Sequence, residues 1–384
     1  MKNLDKILLA TVIILTGIGL VLIFSASTSL AMINNKNLTH YFYHQLKVIL
    51  FALGVFAAGI LIPYEFYKKY SIFFMFIILL LLILVLFTNS KNGASRWFNI
   101  LGQSIQPTEI AKLALVFHIS RLIVRQDERI KNFKKLLIPV VWIALVSGLT
   151  AFQPNYSNAI IIGFSGSVLL YVGGAKKRHL FAILLVGGIF ISVAMWFTPH
   201  SHARIAGWLG MNETEHLSAP NEQVDEALIG IGSGGLTGVG IGKSEQANLF
   251  LPEAYSDFIF AILGEELGFI GSVVVSSLYI LFFLLSLLSM QHIEDKYGGL
   301  VVFGLSFNIV LSAIINIFVV LGIIPTTGIT LPFISYGGSS LTVFVFSVGV
   351  ILNINTDGRI SYIIVNFIKK GFRLFLGTKN ARIQ

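Results

Sequence analysis

The chain has 384 residues, of which 55% are hydrophobic and only 12% are charged, and its formal net charge is +9. Soluble domains carry about a quarter charged residues, so too few charges are present here to cover a water-exposed surface. Cysteine is absent, which excludes disulfides and thiolate metal sites. The composition therefore predicts an integral membrane protein.

Ten apolar stretches follow one another along the chain, each close to the length that a helix needs to cross a bilayer. Only helices suit them, because a backbone in contact with lipid must satisfy its own hydrogen bonds. We expect an all-α polytopic membrane protein with one domain over residues 1–384, whose first stretch is an uncleaved helix. The stretches are 7–30, 48–64, 71–88, 107–124, 136–152, 157–174, 179–197, 258–290, 299–323 and 335–354.

The basic residues alternate between the connections. Of the 27 Lys and Arg residues, 20 fall on the two termini and every second connection, six fall on the remaining connections, and Lys112 lies within a stretch. This asymmetry is a positive-inside signal. It predicts cytoplasmic termini, including a tail over about 355–384. The excess of basic over acidic residues is thereby explained by membrane orientation and anionic lipid, and no nucleic-acid partner is needed.

One predicted outside loop, over about 198–256, is unusually long and lies between the seventh and eighth spans. Loops of this length tend to be functional or disordered. It contains seven carboxylates and a glycine-rich segment, 230–242. The G-x-G-x-x-G spacing within that segment lacks a preceding strand, so we interpret it as a flexible or tightly turning loop and not as a phosphate cradle.

Several ionisable residues lie in or beside apolar stretches. Glu109 and Lys112 share one helix face, either as a structural ion pair or as functional groups. Asp257 lies where the long loop enters the eighth span, and position alone allows a helix N-cap as readily as a functional role. Beyond it, we expect at least one of Glu265 and Glu266 to face a polar cavity, or else to be held by hydrogen bonds; the alternative is a kinked helix entry in which both remain at the interface.

Between the ninth and tenth spans, 324–341 contains two prolines and three glycines. Irregular backbone at this level is tolerated where it lines a cavity or is packed in protein. Ser335 and Ser339 supply hydroxyl groups there. An outside-facing polar cavity is therefore expected, but the residues alone do not fix its reaction.

Six ordered motifs resemble those of the shape, elongation, division and sporulation family. They cover nearly the whole chain and include Gly93-Ala-Ser-Arg-Trp-Phe, Gln106-Pro-Thr-Glu-Ile-Ala-Lys, Ile231-Gly-Ser-Gly-Gly-Leu-Thr-Gly, Leu251-Pro-Glu-Ala-Tyr-Ser-Asp-Phe, Gly264-Glu-Glu-Leu-Gly and Pro325-Thr-Thr-Gly with Leu331-Pro-Phe-Ile-Ser-Tyr-Gly-Gly-Ser-Ser-Leu. Phe24-Ser-Ala-Ser and Leu251-Pro-Glu-Ala are more similar to the division member than to the elongation or sporulation members. One departure is Asn155, which stands where the family usually has an aspartate.

The resemblance implies a peptidoglycan glycosyltransferase that polymerises lipid II, with Asp257 as the general base. It implies that Arg96, Arg204 and Lys243 stabilise the leaving pyrophosphate, that a divalent cation (Mg or Mn) could share that task, and that Trp97 packs against a sugar. Further candidate substrate-binding residues are Glu109, Lys112, Glu266, Ser335 and Ser339. The implied partners are lipid II, a class B penicillin-binding protein and other division proteins. A lipid II flippase, an elongation-type polymerase and a non-catalytic scaffold are the alternatives.

Overall fold

The structure is a computed structural model that describes residues 3–33, 36–88, 96–100, 103–209, 219–249, 251 and 254–356. Several sequence predictions lie outside the described residues. They are the first part of the Gly93 motif, Pro252 and Glu253 of the Leu251 motif, two loop carboxylates, Glu213 and Glu215, and nearly all of the C-terminal tail.

Thirteen α-helices form within the described residues, together with one small hairpin. The helices are α1 (Asn3–Ile33), α2 (His40–Leu61), α3 (Tyr64–Leu84), α4 (Pro107–Gln126), α5 (Phe133–Phe152), α6 (Tyr156–Val172), α7 (Lys177–Phe197), α8 (Pro199–Trp208), α9 (Ala219–Ser233), α10 (Glu245–Leu249), α11 (Ile259–Met290), α12 (Lys296–Val320) and α13 (Ser339–Asn355). The antiparallel strands β1 (Phe98–Ile100) and β2 (Gln103–Ile105) lie between α3 and α4.

Each of the ten predicted stretches coincides with a helix, namely α1 to α7 and α11 to α13. Seven of these helices are long and apolar enough to cross a membrane, and α6 and α13 are shorter apolar helices. The remaining one, α4, carries charged residues and is buried along most of its length at the centre of the bundle. The prediction of a polytopic all-α membrane protein is confirmed.

The basic connections meet at one end of the bundle. Lys296 binds Asp127 at 2.9 Å, Lys68 lies 3.6 Å from Asp295, and Arg121 donates to the carbonyl of Lys69. Such exposed pairs contribute little stability, about 0–1 kcal/mol each. These contacts nevertheless show that three connections predicted to be inside lie side by side.

The long α11 helix is broken at Gly268, whose φ and ψ are 68° and −167°. The break deprives neighbouring backbone groups of helical partners. The segment 234–242, called the glycine loop below, supplies them through four hydrogen bonds of 2.9–3.1 Å between 235–240 and 265–270. The backbone is thereby satisfied inside the protein, as an apolar environment requires.

The interpretation of 230–242 as a flexible or tightly turning loop holds for the tight turns of 234–242, where four glycines have positive φ, and needs a correction for 230–233. Its first residues, through Ser233, belong to α9, and the rest is fixed against α11. A Cβ at Gly234 would lie 2.1 Å from the carbonyl oxygen of Gly264, and one at Gly238 would lie 2.1 Å from that of Glu266. These glycines are therefore needed for close approach of two backbones.

Gly234→Ala should destabilise the protein by about 1–3 kcal/mol, because the added methyl group forces the glycine loop away from α11. Gly232→Ala is the matched control, since a Cβ there meets nothing within 4 Å and alanine favours helix. Thermal unfolding of both variants in detergent or nanodiscs measures the effect. Equal melting temperatures would contradict this account of the loop.

Candidate active site

Asp257 lies in the turn that precedes α11 and is partly buried. The N-cap position of α11 is Phe258, so Asp257 stands one residue before the cap. Its Oδ1 accepts a hydrogen bond from Ser256 Oγ at 3.0 Å. Its backbone carbonyl accepts one from Asn316 Nδ2 at 2.8 Å. Asn316, buried on α12, thus fixes the backbone that carries the carboxylate.

The connection between α12 and α13 packs directly against this turn. Asn316 Nδ2 also donates to the carbonyl of Ile329 at 2.7 Å, which joins the two segments. Ser335 Oγ donates to the carbonyl of Ser256 at 2.7 Å, and the amide of Tyr336 donates to the carbonyl of Tyr255 at 3.0 Å. The two irregular segments therefore satisfy one another's backbone.

Three tyrosine rings pack against one another beside the turn that carries Asp257. The rings of Tyr41, Tyr255 and Tyr336 lie 5.2–5.9 Å from one another, and Tyr336 Oη binds His44 Nδ1 at 2.8 Å. Aromatic contacts of this geometry add to the stability gained by burial. The cluster ties the segment before Asp257 to α2. No role is predicted for these tyrosines from the sequence.

Arg204 approaches Asp257 from another connection, and Arg96 lies close to Arg204. Arg204 on α8 is close enough that the carboxylate of Asp257 raises its pKa, whereas burial lowers that pKa by more. Burial also lowers the pKa of Arg96, and the charge of Arg204 lowers it further. Both guanidinium groups remain charged, because arginine is protonated at any physiological pH.

The arginines are held by backbone carbonyls. Arg96 Nε donates to the carbonyl of Gln153 at 3.2 Å, and its Nη2 donates to that of Pro154. Arg204 Nη1 donates to the carbonyl of Thr326 at 3.2 Å. The site therefore gathers the connections that follow α3, α5, α7 and α12, all at the end of the bundle opposite the basic connections.

Glu109 and Lys112 form a buried ion pair of 2.8 Å, as their spacing predicts. Lys112 also donates to Asn158 Oδ1 at 3.2 Å, and Asn158 donates to Asn155 Oδ1 at 3.2 Å. Asn155 directly follows the two residues whose carbonyls bind Arg96. A polar network thus runs from the interior of α4 towards the arginines.

The carboxylates of Glu265 and Glu266 hold the glycine loop and the residues that follow it. Glu265 accepts hydrogen bonds from Ser244 Oγ and from the amide of Glu245 at 2.8 Å. Glu266 accepts them from Ser25 Oγ and from the amide of Gly242 at 3.0 Å. Of the three readings given above for these carboxylates, the geometry matches hydrogen bonding within the protein. A substrate contact by Glu266 remains a prediction.

The other predicted residues are spread over this end of the molecule. Trp97 precedes β1 with 39% of its surface exposed, which leaves its indole available to a ligand. Ser339 Oγ donates to the carbonyl of Ser104 and so joins α13 to the hairpin. Lys243 is exposed on the connection between the glycine loop and α10. Contacts of these residues with a substrate remain predictions.

The described residues fit a protein-held metal poorly. Among them there is no group of three or more His, Cys, Asp or Glu side chains that could hold an ion. His40 and His44 stand one turn apart on α2, and no metal site is predicted there from the sequence. His44 is hydrogen-bonded to Tyr336.

The sequence profile of the FtsW, RodA and SpoVE family of cell cycle proteins matches residues 5–360. The chain belongs to this family. Two curated relatives are similar over almost their whole length. A probable peptidoglycan glycosyltransferase FtsW of Geobacter metallireducens is 31% identical, over 92% of this chain and 95% of that protein. The stage V sporulation protein E of Bacillus subtilis is 33% identical, over 92% and 98%.

The fold is also that of a solved structure. One chain of a peptidoglycan synthase complex superposes with a TM-score of 0.75 and 23% identity, over 91% of this chain and 97% of that chain. At this identity the match concerns the fold alone. It places this FtsW/RodA/SpoVE family member among polytopic helical proteins.

Lys112→Met should destabilise the protein by about 3–5 kcal/mol, because it leaves the Glu109 carboxylate buried without its cation. The double variant Glu109→Gln with Lys112→Met removes both charges and should recover much of that stability. Thermal unfolding of wild type, single and double variants checks this. A double variant as unstable as the single one would contradict the ion-pair explanation.

Proposed function

We propose that this chain is a peptidoglycan glycosyltransferase that polymerises lipid II at the outer face of the bacterial inner membrane during cell division, with Asp257 as general base. The observation that carries the proposal is the placement of a partly buried carboxylate beside the partly buried Arg204, with Arg96 close to that arginine. The activity named for the Geobacter relative supports it.

In the proposed reaction, a free hydroxyl of incoming lipid II attacks the anomeric carbon of the growing glycan. A new C–O bond forms at that carbon as the bond to the pyrophosphate oxygen breaks. The hydroxyl proton passes to Asp257, and undecaprenyl pyrophosphate leaves with the electron pair. Arg96 and Arg204 stabilise the charge that develops on the leaving group, since fixed cations in a site poor in water act strongly.

Asp257→Asn should lower the polymerisation rate by about 10²–10⁴, the usual contribution of a positioned general base. Purified lipid II and the reconstituted chain, together with its crosslinking partner, provide the assay, with glycan length read on gels. The matched control is Asp225→Asn, which alters an exposed carboxylate on α9 and should polymerise at the wild-type rate.

Equal polymer from wild type and Asp257→Asn would remove Asp257 as the base. No polymer from wild type under conditions in which a characterised relative is active would remove the enzymatic proposal and favour the transporter or the scaffold. Loss of activity in Asp225→Asn would show that the assay reports general damage.

The orientation proposed here follows the positive-inside rule, which places the basic end in the cytoplasm and Asp257 outside. Because cysteine is absent, single cysteines report on sidedness directly. Asp225→Cys should react with a membrane-impermeant maleimide in intact cells, whereas Lys131→Cys should react only after lysis. The reverse pattern would contradict the orientation.

We further propose a class B penicillin-binding protein as partner, within an assembly of division proteins. The similar fold found in a peptidoglycan synthase complex supports this. Co-expression with candidate transpeptidases should yield a complex that survives purification and polymerises faster than the chain alone. Polymerisation that no candidate binds or stimulates would contradict the partnership.

A further inference from the structure

Three polar groups beside Asp257 are buried and have no hydrogen-bond partner among the described residues. They are Nε of Arg204 and the hydroxyl groups of Thr326 and Thr327. Buried polar atoms in proteins are almost always hydrogen-bonded, and leaving one unpaired costs its full desolvation penalty. Unpartnered buried polar atoms occur elsewhere in the described residues, but these three lie on two neighbouring elements, where one ligand could bind all of them.

The three groups share one place in the fold. Arg204 Nη1 donates to the carbonyl of Thr326, so the threonine backbone lies against the guanidinium group. Gly328, two residues further, has a φ of 65°, and a Cβ placed on it would lie 3.5 Å from Asp257 Oδ2. The segment Thr326–Gly328, called the threonine segment below, therefore contacts the arginine at its start and adjoins the carboxylate at its end.

The charges at this place favour an anion. Arg96 and Arg204 bring two positive charges and Asp257 brings one negative charge, so the group carries a net positive charge at neutral pH. Both arginines bind only backbone carbonyls in the hydrogen bonds given above. Guanidinium and hydroxyl groups are donors suited to phosphate oxygens. A neutral sugar would leave the excess charge uncompensated.

We propose that Thr326 and Thr327 donate hydrogen bonds to the pyrophosphate of the lipid-linked sugar donor, beside Nε of Arg204. This inference rests on the proposed function and extends it to two residues that carry no predicted role. The threonine segment then aligns the donor, because it holds the phosphates on one side while Asp257 stands at its other end. The anomeric carbon is thereby presented near the base.

The test uses the full chain in nanodiscs and removes only the hydroxyl groups. Thr326→Val with Thr327→Val keeps the side-chain shape, whereas Thr326→Ser with Thr327→Ser keeps the hydroxyls. Thr342→Val is the matched control, since that hydroxyl donates to the carbonyl of Gly338, the N-cap residue of its own helix. The probes are undecaprenyl pyrophosphate, for binding, and lipid II, for KM and kcat.

The valine pair should weaken undecaprenyl pyrophosphate binding and raise the KM for lipid II by about tenfold or more, as expected for lost hydrogen bonds to a charged group. The serine pair and Thr342→Val should stay within about threefold of wild type. Unchanged pyrophosphate affinity in the valine pair would overturn the inference, as would a serine pair as defective as the valine pair.

These outcomes separate the inference from the proposed function. If wild type polymerises and depends on Asp257 while the valine pair binds pyrophosphate normally, the inference fails and the polymerase stands. If wild type makes no glycan yet binds undecaprenyl pyrophosphate through the threonine hydroxyls, the polymerase fails and the phosphate site stands. Equal losses for undecaprenyl pyrophosphate and the phosphate-free alcohol undecaprenol would point to the lipid tail and would overturn the phosphate assignment.

Discussion

Backbone that leaves the helical conformation inside an apolar bundle must find its hydrogen-bond partners within the protein, and the architecture of this end of the molecule depends on that constraint. The turn before α11 and the connection after α12 solve it together. Asn316 bonds both segments, while Ser335 and Tyr336 donate to the two residues before Asp257. The carboxylate therefore stands on a backbone fixed from α12 and from α2, which suits a group that must meet a substrate in one geometry.

Carboxylates at this end of the protein divide into two groups. Glu265 and Glu266 accept hydrogen bonds from α1, from the glycine loop and from the residues that follow that loop, and both lie beside the break at Gly268. Asp257 instead lies beside the cation Arg204, which in turn lies close to Arg96. In the proposed reaction, Asp257 takes up the acceptor proton and the neighbouring cations bind the departing anion, so that one site would serve both halves of glycosyl transfer.

Much of the fold follows from the sequence, because long apolar runs and alternating basic connections are local signals. The pairing of Glu109 with Lys112 is also local, since i and i+3 share a helix face. Asp257 is different, because its position equally fits a helix cap and only the family resemblance singles it out. The contact between Arg204 and Thr326 joins residues 122 apart, and the tyrosine cluster joins α2 to two later segments. No local sequence pattern predicts these long-range contacts.

The central claim is that Asp257 acts on the proton of the acceptor and not on the binding of substrate. Measuring lipid II affinity and single-turnover rate on the same preparations of wild type and Asp257→Asn separates the two roles most directly. The account predicts an affinity within about threefold of wild type and a chemical step slowed by about 10²–10⁴. Affinity lost in proportion to the rate, or a chemical step at the wild-type rate, would contradict it.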